Sequence, residues 1–249
     1  MYEDFAKQYD SFMDNIPYDM WADQIKGILH KYGIVSGIAA DLGCGTGTLT
    51  ELMAAAGYDM IGIDNSEEML NQALEKRDKS GHNILYLNQD IRSFELYGTC
   101  AAIVSRCDTI NYITEYSDLI KCLSLVNNYL DPGGLFIFDV KTEFMYRDLL
   151  GYNTFARNND NGSYIWENYY DEKTKLNQYL LTLYSKVEGK EIYSRSEELH
   201  TQRAYSLGEI KNAAAAAGLK WISVIDSDTE DEIQSDTTRY LITLQENGK

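Results

Sequence analysis

An acidic residue followed by three alternating glycines is the first feature of this chain whose spacing could support ligand chemistry. Asp41 precedes Gly43, Gly45 and Gly47, and a second acidic residue, Asp64, lies seventeen positions beyond Gly47. Alternate glycines let a backbone turn tightly and approach a ligand where a Cβ would clash. A carboxylate at the position of Asp64 can accept two hydrogen bonds from a ribose diol held over that turn. The two segments therefore predict a nucleotide-binding site.

The spacing of the glycines separates two kinds of nucleotide site. A dinucleotide-binding turn reads GxGxxG, and its third glycine allows the helix to pack on the strand. Counted from Gly43 and Gly45, that position is Thr48, and the third glycine falls one residue earlier at Gly47. The pattern GxGxG therefore disfavours a dinucleotide at this turn.

Further acidic residues follow later apolar runs. Asp90 comes after the run at 83–88, and Asp108 comes after the run at 100–105. In open α/β sheets, ligands bind beyond the carboxyl ends of the strands. Acidic residues after four successive strands are difficult to ascribe to solvation alone, so we expect them to contribute to one site.

The elements that must position these residues alternate between apolar runs and amphipathic helical segments. Continuous apolar strands separated by helices indicate a parallel sheet covered on both faces. Strands are predicted at 37–41, 58–64, 83–88, 100–105, 135–140, 220–225 and 239–244. The predicted fold class is α/β, a Rossmann-like, doubly wound, mostly parallel seven-stranded sheet with an antiparallel β insert.

Three parts are predicted along the chain: an N-terminal helical arm at 1–35, the Rossmann-like domain at 36–150 and 206–249, and the insert at 151–205. Strands are predicted within the insert at 163–170, 175–187 and 191–203. Pro17 divides the arm into two short helices. Three aromatic residues cluster around that break, and their rings could line the mouth of a pocket: Tyr9, Tyr18 and Trp21. We expect the arm and the insert to cover the site and to select its substrate.

Charge and cysteine content restrict the partners. The net charge is −17, whereas nucleic-acid binding usually needs a basic face, so a nucleic-acid partner is disfavoured. The four cysteines lack CxxC or paired-histidine spacing, which predicts free thiols in a reducing compartment and no metal site. No apolar run reaches membrane-spanning length. We therefore expect a cytoplasmic protein with no membrane partner, and the sequence leaves its oligomeric state open.

The segment from Asp41 to Gly47 resembles the first motif of the class I S-adenosylmethionine-dependent methyltransferases. The resemblance continues in order through Asp64, the pair Asp90 and Ile91, and the turn at 130–134, and it covers residues 37–140. It implies that the cofactor is S-adenosyl-L-methionine. The flanking segments 2–10, 17–21, 138–143 and 198–206 resemble a subgroup of small bacterial methyltransferases, largely of unassigned substrate.

The resemblance also implies residue roles. The three glycines would give backbone contacts, Asp64 would bind the ribose hydroxyls, and Asp90 would bind the adenine amine. Ile91 and Met69 would pack on the adenine ring, and the turn at 105–107 would face the methionine part and the methyl group. The predicted cofactor-binding residues are Tyr9, Trp21, Asp41, Gly43, Cys44, Gly45, Gly47, Asp64, Asn65, Met69, Asp90, Ile91, Ser105, Arg106 and Cys107.

The acceptor is less constrained. Methyl transfer requires alignment of the nucleophile with the methyl group, and a base is needed only if the nucleophile carries a proton. His200 is the candidate base, with a structural role as the alternative. Tyr18, Trp166 and Arg203 are candidate substrate contacts, although Arg203 could instead pair with Glu198.

Missing motifs narrow the acceptor further. With prolines only at 17 and 132, the chain has no Asn/Asp-Pro-Pro-aromatic motif after the fourth strand and no Pro-Cys nucleophile. Enzymes that methylate adenine or glutamine amides carry the first motif, and cytosine C5 methyltransferases carry the second. A small-molecule N or O acceptor is therefore favoured. The alternatives are an RNA or protein methyltransferase and a non-catalytic S-adenosylmethionine-binding module.

Overall fold

The apolar runs form the strands of a central sheet, and the amphipathic segments form helices on its two faces. The computed structural model describes residues 16–160, 162–187, 190 and 192–248. Tyr9 and the first of the two helices predicted in the arm lie outside these residues. The helices α1 to α5 span Tyr18–Lys31, Thr48–Ala55, Glu67–Ser80, Tyr116–Tyr129 and Leu207–Ala216. The central strands β1 to β5 span Gly37–Leu42, Tyr58–Asp64, Leu85–Asn88, Cys100–Ser105 and Leu130–Lys141.

The chain then forms a second sheet before it completes the first. A single π-helical turn at Met145–Leu150 leads into β6 to β9, which span Thr154–Asn159, Gly162–Asp171, Leu176–Lys186 and Tyr193–Arg203. The last central strands, β10 and β11, span Leu219–Asp226 and Arg239–Glu246.

The central sheet has the strand order β10-β11-β5-β4-β1-β2-β3. Strands β1 to β5 pair in parallel, and β11 pairs antiparallel with both β5 and β10. This arrangement confirms the predicted α/β fold class with a mostly parallel seven-stranded sheet. Because the chain moves outward from β1 through β2 to β3 and then returns to β4, the strand order reverses between β1 and β4. Ligands of open α/β sheets bind at such a reversal.

Alternate residues of the central strands supply two separate cores. Ala40 and Leu42 of β1 join the core under α4 and α5, whereas Ala39 joins the core under α1 and α2. On β5, Phe136 joins the core under α4 and α5, and Ile137 joins the core under α1 and α2. Burial on both faces explains why these strands are continuous apolar runs rather than alternating ones.

The second sheet is antiparallel, with the order β6-β7-β8-β9. Its last three strands were predicted, but β6 was not, because its sequence is polar and most of its residues are exposed. Leu181 and Leu183 of β8 pack on Met69 of α3, and Trp166 of β7 packs near the π-helical turn. The sheet therefore lies against the edge of the central domain where α3 begins. No helix in the described part of the chain is long and apolar enough to cross a membrane.

Candidate active site

The glycine turn joins the end of β1 to the start of α2 and is tied to the neighbouring strand. The backbone N–H groups of Gly43 and Cys44 donate to the carbonyl of Ile63 on β2, at 2.7 and 3.0 Å. Gly47 precedes the first residue of α2 with a φ of 76°, in the left-handed region that favours glycine. The turn is thus held rigidly where the strand order reverses.

The three glycines are required for different reasons. A Cβ on Gly43 would overlap the side chain of Thr109, and one on Gly47 would overlap the hydroxyl of Tyr86. A Cβ on Gly45 would meet no described atom within 4 Å. Protein side chains therefore fill the space beside Gly43 and Gly47, and the predicted backbone contacts of the three glycines to the cofactor stay a prediction. Gly45 faces the open side of the turn.

Asp64 ends β2 and connects the glycine turn to α3. One carboxylate oxygen accepts from the N–H of Gly45 at 2.9 Å, and the other accepts from the N–H of Ser66 at 2.9 Å. Burial raises the pKa of Asp64, and these hydrogen bonds oppose that shift. Ser66 caps α3 by accepting from the N–H of Met69. Asn65 is exposed beside Asp64.

Asp41 lies behind the turn. Its carboxylate is 2 % exposed and accepts a 2.6 Å hydrogen bond from Thr50 Oγ1. Burial raises the pKa of Asp41 to about 7. Burial also raises the pKa of the Cys44 thiol, and the carboxylates of Asp41 and Asp64 add to that shift. The hydrogen bond between Asp41 and Thr50 joins β1 to α2 behind the glycine turn.

Asp90, which is predicted to bind the adenine amine, forms an ion pair that the sequence did not predict. Arg92 contacts both carboxylate oxygens of Asp90, with its backbone N–H and Nε donating to Oδ1 at 2.8 and 2.9 Å. The hydrogen bond from the Arg92 side chain lowers the pKa of Asp90. Ile91 is half-buried, and Met69 is buried under β8. An adenine amine would have to share the carboxylate of Asp90 with Arg92.

The loop after β4 is fixed by a buried carboxylate on β5. Ser105 Oγ donates to the carbonyl of Leu42, which joins β4 to β1. Asp139 accepts from the N–H groups of Cys107 and Asp108, at 3.2 and 2.7 Å. Cys107 and Asp108 both have positive φ values, 62° and 55°. Asp139 thus holds two consecutive left-handed residues next to the glycine turn.

Asp108 and Asp139 belong to a buried network with three cationic side chains. Asp108 accepts from Lys141 at 2.9 Å and from Arg239 at 3.0 Å, and Asp139 pairs with Arg239 and Arg106. Burial raises the pKa of Asp108, but Lys141 and Arg239 outweigh it and lower the pKa overall. Burial lowers the pKa of Arg106 to about 10. Three cations face two carboxylates, so one formal positive charge is left over beside the cleft.

Arg106 also connects the arm to the rest of the fold. Its guanidinium lies 4.4 Å from the ring centroid of Trp21 and donates to Gln24 and to Ser227. Trp21 was predicted to line the pocket mouth, but it is only 2 % exposed and stacks behind Arg106. Tyr18, one turn earlier on α1, contacts Trp21 edge-on at 5.7 Å.

A cleft forms where these elements meet. Its lining residues are Tyr18, Asp41, Gly43, Cys44, Gly45, Thr46, Leu49, Arg106 and Cys107. Thr46 and Leu49 were not predicted as site residues, although both lie in or next to the motif that was. The other predicted site residues that the structure describes do not line this cleft: Trp21, Gly47, Asp64, Asn65, Met69, Asp90, Ile91, Ser105, Trp166, His200 and Arg203.

His200 is buried in a polar aromatic cluster on the second sheet. Its Nε2 lies 3.2 Å from Glu198, and its Nδ1 lies 3.3 Å from the hydroxyl of Tyr112. Its ring stacks on Tyr179 with centroids 4.6 Å apart, and the hydroxyls of Tyr112 and Tyr179 are hydrogen-bonded. Trp166 contacts Tyr179 at 5.5 Å. Tyr112, Tyr179 and Glu198 were not predicted as site residues.

Arg203 contacts residues outside the cluster around His200. Its guanidinium pairs with Glu209 at 2.9 Å, donates to the carbonyl of Thr114 and stacks on Tyr205. The predicted alternative, a pair with Glu198, is wrong, because Glu198 contacts His200. Strand alternation explains this result, since residues two apart share a face whereas residues five apart do not.

Comparisons with known protein sequences all indicate a methyltransferase. A sequence model of the methyltransferase domain matches residues 39–134. YqeM of Bacillus subtilis, a candidate methyltransferase whose name states no acceptor, is 33% identical over 241 residues, covering 95% of this chain and 94% of that protein.

Solved structures agree. An S-adenosylmethionine-dependent methyltransferase from Clostridium acetobutylicum has 29% identity and a TM-score of 0.90, with 99% of each chain covered. The sugar N-methyltransferase KedS8 from Streptoalloteichus shares the fold, with 14% identity and a TM-score of 0.76, covering 94% of this chain and 91% of that one. This chain therefore belongs to the class I S-adenosylmethionine-dependent methyltransferases.

Proposed function

We propose that this enzyme transfers the methyl group of S-adenosylmethionine to a nitrogen or oxygen atom of a small molecule. The observation that carries the proposal is the packing of the second sheet on Met69, a predicted cofactor-binding residue, with Trp166 and Tyr179 in the same cluster. Aromatic rings with polar tips suit a small polar acceptor. The sugar N-methyltransferase KedS8, which shares the fold, acts on an acceptor of that size class.

The described residues fit the cofactor. Gly45 leaves open space beside the turn, and the carboxylate of Asp64 adjoins it. Nη1 of Arg106 is buried without a hydrogen-bond partner among the described residues, and Arg106 lines the cleft. We assign Asp64 to the ribose hydroxyls and Arg106 to the methionine carboxylate. Bound S-adenosylmethionine supplies a methyl group on a positively charged sulfur, which is already an activated leaving group.

The protein then has to orient the acceptor and exclude water. Orientation converts a bimolecular displacement into an effectively unimolecular one, which makes it the main contribution expected of this site. We assign Tyr18 and Trp166 to acceptor contacts and His200 to proton removal, and we assign no acceptor contact to Arg203 because Glu209 engages its guanidinium. The net charge of −17 makes a nucleic-acid acceptor unfavourable.

Transfer of a labelled methyl group tests the proposal. The enzyme is incubated with methyl-tritiated S-adenosylmethionine and, separately, with a deproteinised metabolite extract, bulk tRNA and a protein extract. We expect label in the metabolite fraction, absent with the Asp64→Ala variant, and mass spectrometry would then identify the acceptor atom. Label confined to the tRNA or protein fraction would overturn the small-molecule assignment. Cofactor binding with no transfer to any fraction would instead indicate a non-catalytic module.

A further inference from the structure

Three separate parts of the chain converge on His200. His200 and Tyr179 are cross-strand partners on β9 and β8, and Glu198 precedes His200 by two residues on the same face. Tyr112 ends the 3₁₀ turn at Thr109–Tyr112, which follows β4. The cluster therefore connects the second sheet to the loop that follows β4.

An ionised Glu198 beside an uncharged His200 ring would set the direction of the hydrogen bonds. An ionised Glu198 can only accept, so Nε2 of His200 must carry the proton and donate to it. Nδ1 of an uncharged ring would then accept from the hydroxyl of Tyr112, which lies 3.3 Å away. The oxygen of Tyr112 can in turn accept from the hydroxyl of Tyr179. The result would be an ordered chain of donors from Tyr179 through Tyr112 and His200 to Glu198.

Both tyrosines belong to elements that contact residues of the predicted cofactor site. Thr109, which begins the turn that carries Tyr112, occupies the space beside Gly43 and donates to the carbonyl of Arg106. Tyr179 packs in the cluster formed around Met69. The turn that carries Tyr112 thus begins at the glycine turn, and Tyr179 packs near Met69, which is predicted to contact the adenine ring.

We propose that the hydroxyl of Tyr112, which is hydrogen-bonded to Tyr179, removes the proton of the methyl acceptor and passes a proton to His200. This inference rests on the proposed function, because it requires a nucleophile that carries a proton. A lone pair of the acceptor forms the bond to the methyl carbon, and the electrons of the broken carbon–sulfur bond stay on sulfur. The acceptor proton moves to the Tyr112 oxygen as the Tyr112 proton moves to Nδ1 of His200.

In this scheme the residues have distinct roles. Tyr112 is the catalytic residue that contacts the acceptor, with Tyr179 beside it. Glu198 is a positioning residue that fixes the tautomer of His200 and balances the imidazolium charge. The Glu198 side chain is 9% exposed, so it balances the imidazolium charge in a largely buried setting.

Nitrogen-15 NMR of the histidine rings tests the geometry without any acceptor. The sequence has only three histidines, His30, His82 and His200. His82 is an internal control, because its Nδ1, not its Nε2, lies 2.8 Å from Glu51. We expect His200 to be protonated at Nε2 and His82 at Nδ1. The Tyr112→Phe variant should shift the Nδ1 resonance of His200 and leave those of His82 unchanged.

Transfer to the metabolite extract then tests the relay. Tyr112→Phe should reduce the rate by about 100-fold or more, the range of general base catalysis. Its affinity for S-adenosylhomocysteine, measured by calorimetry, should stay within about two-fold, as expected for a residue that binds no cofactor. The matched control is Tyr116→Phe, which removes a hydroxyl bonded to the carbonyl of Glu209 and should leave both quantities unchanged.

Two results would overturn the relay. One is a His200 protonated at Nδ1 in the wild-type protein, and the other is a Tyr112→Phe variant that transfers at the wild-type rate. A wild-type protein that transfers nothing to metabolites would overturn the proposed function instead. The tautomer measurement would still decide the direction of the hydrogen bonds in that case.

Discussion

Replacing Asp41 with asparagine should stabilise the protein increasingly as the pH rises. Burial raises the pKa of Asp41 from its ordinary 3.8 to about 7, so between these values the folded state keeps a proton that the unfolded state has released. Stability from this group is complete below the unfolded pKa and is lost as the pH rises through the folded pKa. About three pKa units correspond to about 4 kcal/mol in total, of which about 2.7 kcal/mol is lost between about pH 5 and about pH 8.

Asparagine removes this titration and keeps an oxygen that can accept from Thr50. The assay is urea unfolding of both proteins without cofactor at the two pH values. The difference in unfolding free energy, variant minus wild type, should increase by about 2 to 3 kcal/mol from the lower to the higher pH. Asp59→Asn is the control, because Asp59 is exposed on the neighbouring strand β2. A difference that stays constant within about 0.5 kcal/mol would show that Asp41 titrates normally, contrary to the burial argument.

Other substitutions separate the roles of neighbouring residues. Gly43→Ala should destabilise the fold by about 2 to 4 kcal/mol in urea unfolding, because its Cβ overlaps a packed side chain. Gly45→Ala should lower the free energy of unfolding by only about 1 kcal/mol, but it should weaken S-adenosylhomocysteine binding at least about tenfold in calorimetry. Equal effects of Gly43→Ala and Gly45→Ala on stability and on binding would contradict the separate roles of the two glycines. Asp139→Asn should lower the unfolding free energy by about 3 kcal/mol because Arg106 and Arg239 lose a buried partner, and an unchanged urea midpoint would contradict this.

The fold could be predicted largely because its strands are buried on both faces. Strand β4 begins and ends where predicted, since its apolar run is bounded by polar residues on both sides. The beginning of β5 was predicted five residues too late. Leu130 pairs with Cys100 across a register shift, and that long-range contact leaves no local signal. The polar strand β6 was missed because it forms by pairing with β7 rather than by burial.

The site could be predicted only where it is local in sequence. The glycine turn and Asp64 follow from spacing, and their hydrogen bond at 2.9 Å agrees with it. The stacking of Trp21 on Arg106 joins elements about 85 residues apart, so no sequence pattern indicates it. The pairing of Glu198 with His200 could have been found, because residues two apart on a strand share a face.

The most direct test is calorimetric binding of S-adenosylhomocysteine to the wild-type protein and to Asp64→Ala. Two lost ribose hydrogen bonds to a carboxylate correspond to about 3 kcal/mol, so the variant should bind about 100-fold more weakly. Asp59→Ala, on the same strand but exposed, should bind like the wild type. One molecule bound per chain with this ordering of affinities is the predicted result. No binding to the wild type, or equal binding by Asp64→Ala, would contradict the assignment of the glycine turn and Asp64 as the cofactor site.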